Sequence, residues 1–169
     1  AMPDSPENNF ATMNPLDVGG AITYTEGNLK MVVSSGSMEG SRATMALPQS
    51  GKWYWEVGVT ALGYISQVGI ATHEKLLANT ADGAADHIAW GFGTWMSSNN
   101  SSVSKYQVNV GGSGGDNWVA IPATGDVLGL AYDADNGKLW FAKNGTYQNT
   151  SGTANPATAA DPRASSLTG

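Results

Sequence analysis

Apolar and polar positions alternate with a period of two along most of this chain, and the clearest run is residues 126–147, DVLGLAYDADNGKLWFAKNGTY. Val127, Gly129 and Ala131 point one way and Leu128, Leu130 and Tyr132 the other, as expected of an extended segment whose two faces meet different surroundings. The pattern breaks at Asp133–Gly137, where Asp135, Asn136 and Gly137 tolerate left-handed backbone. It resumes at Lys138–Lys143, with Leu139 and Phe141 on one face and Lys138, Trp140 and Ala142 on the other. Asn144-Gly145 is a type I′ hairpin signal, and Tyr147 begins the return strand. The spacing therefore predicts a three-strand meander.

The same reading gives a hairpin over 22–35 around Glu26-Gly27-Asn28 and a short strand over 42–48 stopped by Pro48. GKWYWEVGVT (51–60) is the most regular strand. Trp53, Trp55, Val57 and Val59 face one way and Lys52, Tyr54, Glu56 and Gly58 the other, a pattern expected of a central position in a sheet. Further strands are expected at 66–72, 88–96, 103–110 and 117–121, with one helical turn at HEKLLAN (73–79) and Gly- and Ser-rich loops between them. Residues 1–20 read as an irregular N-terminal arm, and the tail after Tyr147 predicts no regular element. Short strands joined by turn chemistry predict an all-β fold, an antiparallel sandwich or barrel with at most one short helical turn.

Composition agrees with that pattern. The chain has 169 residues, enough for one domain with a sizeable core, and 22 of them are glycine. Only 13% are charged, fewer than helices usually carry on their solvent faces. Without cysteine, neither a disulfide nor a thiolate site can form. A net charge of −6 with 8 Lys plus Arg spread thinly argues against a nucleic-acid surface, which needs clustered cations to neutralise phosphates, so no nucleic-acid partner is expected. No apolar run approaches a membrane span, so no membrane insertion is expected.

The order GKWYWEV, VGIAT, WGF, then GDVLGLAYDADNGKLWFAKNG resembles the SPRY (B30.2-like) domain across about residues 20–169. The flanks, NNFATMNPL (8–16) and a Gly-, Ser- and Ala-rich tail (151–169), resemble those of SPRY segments in structural proteins of tailed bacteriophages. The resemblance implies a bent sandwich of two antiparallel sheets spanning 21–169, without a catalytic centre or cofactor, that binds through its loops. By that pattern Trp55, Val57, Leu139 and Phe141 are core and Asn144-Gly145 a structural turn. One departure stands out: the family pattern continues past Leu167–Gly169 into an aromatic-Pro-Ala-Val strand and a closing Asn-Phe-Gly strand that are absent here. This suggests a piece of a larger protein, or strands supplied by another chain.

Candidate chemistry is sparse. GGSGG (111–115) has the spacing of a nucleophile elbow around Ser113, but no helical period follows it, so it reads as a loop. DADNG (133–137) starts like a calcium loop, yet Lys138 and Asn144 stand where that loop needs Gly and Glu, so it reads as a turn. His73 and His87 with Glu74, Asp82 and Asp86 are the only His–carboxylate grouping, and they read as loop residues rather than a metal site. Tyr64, Trp95, Trp118 and Tyr147 fall in expected loops or at strand ends. As a set they are the candidate recognition face, since rigid aromatics provide large contact area at small entropic cost. Individually, each can instead cap the end of the core. The expected role is a non-enzymatic virion domain, structural or decorating or touching a host surface, with virion subunits or a host receptor as partners. A homo-oligomer is a further expectation. The alternatives are a soluble peptide-binding adaptor and a lectin-like carbohydrate binder.

Overall fold

The computed structural model describes residues 10–33, 39–63, 66–71, 87–92, 104–109, 115–118, 122–149, 152–165 and 167. Two compact units are present, residues 1–47 with 76–81, and residues 48–75 with 82–169. The helical turn expected at 73–79 lies outside the described residues, as do the expected loop SSNNSS (97–102) and residues 111–114 of GGSGGD.

In the first unit, β1 (Met13–Val18) pairs antiparallel with β4 (Ser41–Ala43), and β2 (Ile22–Thr25) pairs with β3 (Lys30–Val33). The expected hairpin is present, and Glu26, Gly27 and Asn28 all adopt positive φ in its turn. Met13–Val18 is a strand although the sequence reads as an irregular arm there. Asn14, Pro15 and Asp17 erase any alternation, and the extended form is fixed by partners distant in sequence. Arg42 Nη1 donates to both carboxylate oxygens of Asp17, at 2.8 and 2.9 Å, and Thr44 N donates to Thr12 O at 2.8 Å. Pro15 is tolerated because a two-stranded ribbon leaves one edge of each strand without a ladder. Among the described residues of 10–47 none is a buried hydrophobic, and Phe10, Leu16, Leu29 and Val32 are exposed.

The second unit holds two four-stranded antiparallel sheets. One has the order β12 (Thr146–Gln148), β11 (Lys138–Lys143), β10 (Val127–Asp133), β5 (Lys52–Gly58); the other runs β6 (Ser66–Ala71), β7 (His87–Phe92), β8 (Ser104–Asn109), β9 (Gly115–Trp118). The chain leaves the first sheet after β5, lays down the whole second sheet, and returns to place β10 against β5. In the meander Leu130 lies between Phe141 and Trp55, and Leu128 lies opposite Val57. Leu128, Leu130, Leu139 and Phe141 have no exposed surface, and Val68 and Ile70 of β6 pack against their cluster. Each such side chain withdrawn from water stabilises by about 1.5–3 kcal/mol. Two sheets face one another across this layer, and the fold is the expected all-β antiparallel sandwich.

β5 does not sit centrally. It is the end of the order among the described residues, and its Trp53 and Tyr54 are 42% and 53% exposed. Alternation marks two different faces, which an edge strand has as surely as a central one, so the pattern could not separate the two positions.

Both turns of the meander form. Asn144 and Gly145 take φ of 48° and 79°, as a type I′ turn requires. In the other turn only Gly137 is left-handed, because the Asp133 carboxylate holds the loop by accepting from the Asn136 backbone N–H and side-chain amide at 3.1 and 3.0 Å. The tail is more ordered than its sequence suggests. A 3-10 turn at Pro156–Thr158 is capped by Asn155, whose Oδ1 accepts from Ala157 N. Beyond it Leu139 N donates to Ala164 O at 2.9 Å, Arg163 N to Leu139 O at 2.7 Å, and Leu167 N to Gly137 O at 3.1 Å. These bonds continue the edge of β11 where β12 ends, and Ala164 enters the core.

Asp126 fastens the start of β10 to the second turn. Its carboxylate pairs with Lys143 Nζ at 2.9 Å and accepts from Ala123 N at 2.7 Å and Asn144 Nδ2 at 2.8 Å. Lys143 first, then these two donors, hold its pKa down to about 2 from 3.8. A depressed carboxyl pKa gives stability that is fully present above 3.8 and is lost as pH falls towards 2. Asp126→Ala is therefore expected to cost about 2 kcal/mol at neutral pH. In denaturant titrations across that acidic range, the difference from wild type should shrink towards zero.

Candidate recognition surface

On the first sheet, the face turned away from the leucine core carries Tyr54 and Glu56 of β5, Gly129 and Ala131 of β10, Trp140 and Ala142 of β11, and Tyr147 of β12. Strand register places Glu56, Gly129, Ala142 and Tyr147 in one row across all four strands, with Tyr54, Ala131 and Trp140 in the next. Gly129 makes room for Tyr54: a Cβ there would lie 2.5 Å from the tyrosine oxygen, so the ring leans over the glycine. Ala142 is 1% exposed and Tyr147 half-buried, so the floor between the tyrosines is shielded. Trp140 is covered by the tail, and its indole N–H donates to Ala160 O at 2.8 Å. Accessible on this face are the two tyrosines and the Glu56 carboxylate, with Lys52 and Val127 at the ends of their strands.

The surroundings raise the pKa of both phenols. Tyr54 donates its hydroxyl to Glu56 Oε1 at 2.7 Å. This bond, then burial, then the charge of Glu56 and the nearby Tyr147 lift the phenol to about 12. Burial also raises Tyr147. Both phenols stay protonated at neutral pH and offer apolar rings with a hydroxyl rim, a chemistry suited to contact with protein surfaces.

Of the aromatics singled out from the sequence, Tyr147 lies in β12 opposite Ala142, in the return strand that the sequence reading starts at this residue. Trp118 ends β9, where it pairs with Ser104, and its side chain lies outside the described residues. Tyr64 and Trp95 lie outside the described residues altogether. Tyr54, which the sequence reading did not single out, shares a face of the sheet with Tyr147. Its signal was present: it occupies the polar-facing register of its strand, so an aromatic there had to face outwards. Ser113, His73, Glu74, Asp82 and Asp86 also lie outside the described residues, while His87 opens β7. Asp133 is 2% exposed and engaged with Asn136, as the turn reading requires. Among the described residues no group of three His, Asp or Glu is placed to hold a metal ion, and no helix is long and apolar enough to cross a membrane.

Residues 52–161 match the family model of the SPRY domain, from the first residue of β5 to the tail that closes the edge of β11. The chain belongs to the SPRY family. That span is well over half of the sequence and includes both sheets of the second unit. No curated protein matches the chain significantly. SPRY domains are generally non-catalytic modules of protein–protein interaction.

Proposed function

We propose that this SPRY chain is a non-enzymatic recognition domain of a tailed-bacteriophage virion, serving there as a structural or decorating element or contacting the host surface. Its partners in this reading are other virion subunits or a host-surface receptor. Tyr64, Trp95, Trp118 and Tyr147 make the contact, with Tyr54 beside Tyr147. Membership of an interaction family over residues 52–161 is the observation that carries the binding role. The virion setting is supported by the flanking stretches 8–16 and 151–169, which resemble those of phage structural proteins.

The test has two arms. The gene product should be found by mass spectrometry in purified particles, and its absence from them would remove the virion setting. Trp95→Ala with Trp118→Ala should weaken binding to isolated particle proteins by about tenfold or more while the melting temperature holds, as for contact aromatics. An equal loss of fold would instead mean that these rings cap the core. A soluble adaptor gripping a short peptide is the second reading, favoured by the same family membership; it would bind peptides but not appear in particles.

A further inference from the structure

The structure points to a self-association site at the open edge of β5, and we propose that it is closed by β5 of a second copy of this chain, in an antiparallel pair centred on Tyr54. This goes beyond the recognition reading and does not depend on it.

Strand parity shows which groups the edge presents. Val59 N donates to Asp126 O at 2.9 Å, Gly125 N to Val59 O at 2.8 Å, and Ala134 N to Gly51 O at 2.9 Å. The odd-numbered residues of this segment thus turn their peptide groups towards β10, and Lys52, Tyr54, Glu56 and Gly58 turn theirs to the opposite edge. Among the described residues no strand pairs there. Within β5 this edge carries no proline or bulge, and an unpaired edge of that kind is a template for another strand.

The sequence of the edge specifies which strand. Lys52-Trp53-Tyr54-Trp55-Glu56 reads the same in both directions around Tyr54, except that its ends carry opposite charges. When two copies run antiparallel about a twofold axis through the Tyr54 pair, Tyr54 opposes Tyr54, Trp53 opposes the second copy's Trp55, and Lys52 opposes the second copy's Glu56. Every even-numbered residue then falls in a hydrogen-bonded pair, which is the parity that the free peptide groups require. The tryptophans fall in the non-hydrogen-bonded pairs, where side chains approach most closely. They also lie on the core-bearing face, so their pairing extends the core across the axis. Lys52 is available for this contact: its side chain is 64% exposed, with Asp133 at 3.7 Å. The contact is one strand wide, so the dimer should be reversible and concentration-dependent.

Sedimentation velocity of the 169-residue chain over a concentration series tests this. Wild type should pass from monomer to dimer. Glu56→Lys alone and Lys52→Glu alone each place two like-charged pairs across the axis and should weaken association by about tenfold or more. Mixed, the two variants restore opposite charges at both positions and should form a heterodimer of about wild-type strength. Thermal melts confirm that the variants fold. A wild type that stays monomeric throughout overturns the proposal. So does a dimer indifferent to the single variants, or a mixture that associates no better than its components.

Discussion

Phe141→Ala should lower the stability of this chain by about 3–5 kcal/mol, the largest loss expected from truncating one side chain of the core. Phe141 has no exposed surface, opposes Leu130 on β10, and belongs to the cluster on which Val68 and Ile70 of the second sheet rest. Removing the ring opens a cavity between two sheets, and neither can relax into it without breaking its own ladder. For a chain of this size the melting temperature should fall by about 10 °C. Val127→Ala, one strand away at a residue 37% exposed, should change stability by less than about 0.5 kcal/mol. Thermal or urea unfolding of the two variants in parallel separates a loss of packing between sheets from a general sensitivity of β10 and β11.

Gly137→Ala is the second large effect, at about 2–3 kcal/mol. Gly137 sits at φ 58°, where a side chain is strained, and a Cβ there would overlap the backbone carbonyl of Leu167. The hydrogen bond from Leu167 N to Gly137 O would have to give way, and with it the tail that seats Ala164 in the core. Gly145 supplies the control: its φ is 79°, but nothing lies within 4 Å of the position a Cβ would take. Gly145→Ala should therefore show the backbone strain alone, about 1 kcal/mol. Limited proteolysis within 150–169 should become faster for Gly137→Ala and stay unchanged for Gly145→Ala.

These two glycines show how much of the fold was legible in the sequence. Both turns could be read from local chemistry, because a reversal within a few residues leaves its signature in those residues. Asn144-Gly145 meets that expectation in full. At the Asp133 turn the expectation was too broad, since an Asp133–Asn136 hydrogen-bond pair does the work that left-handed backbone at Asp135 and Asn136 was expected to do. The tail defeats local reading for the opposite reason. Arg163, Ala164 and Leu167 have no periodicity, and they are ordered by Leu139 and Gly137, more than twenty residues earlier. Met13–Val18 is extended on the same terms, through Arg42 and Thr44. The proposed recognition patch was half legible. Aromatic identity marked Tyr147, but only strand register brings Tyr54 beside it, and register depends on pairing between segments far apart in the chain.

The segment from Asp126 to Tyr147 is the core of a two-layer body on which the proposed recognition face is displayed, and native-state hydrogen exchange tests this residue by residue. The amides of β10 and β11 should be the slowest in the chain and should exchange only through global unfolding, while those of the described residues of 10–47, which contribute no buried hydrophobic side chain, exchange far sooner. Exchange of the β10 and β11 amides as fast as that of residues 10–47 would contradict the account.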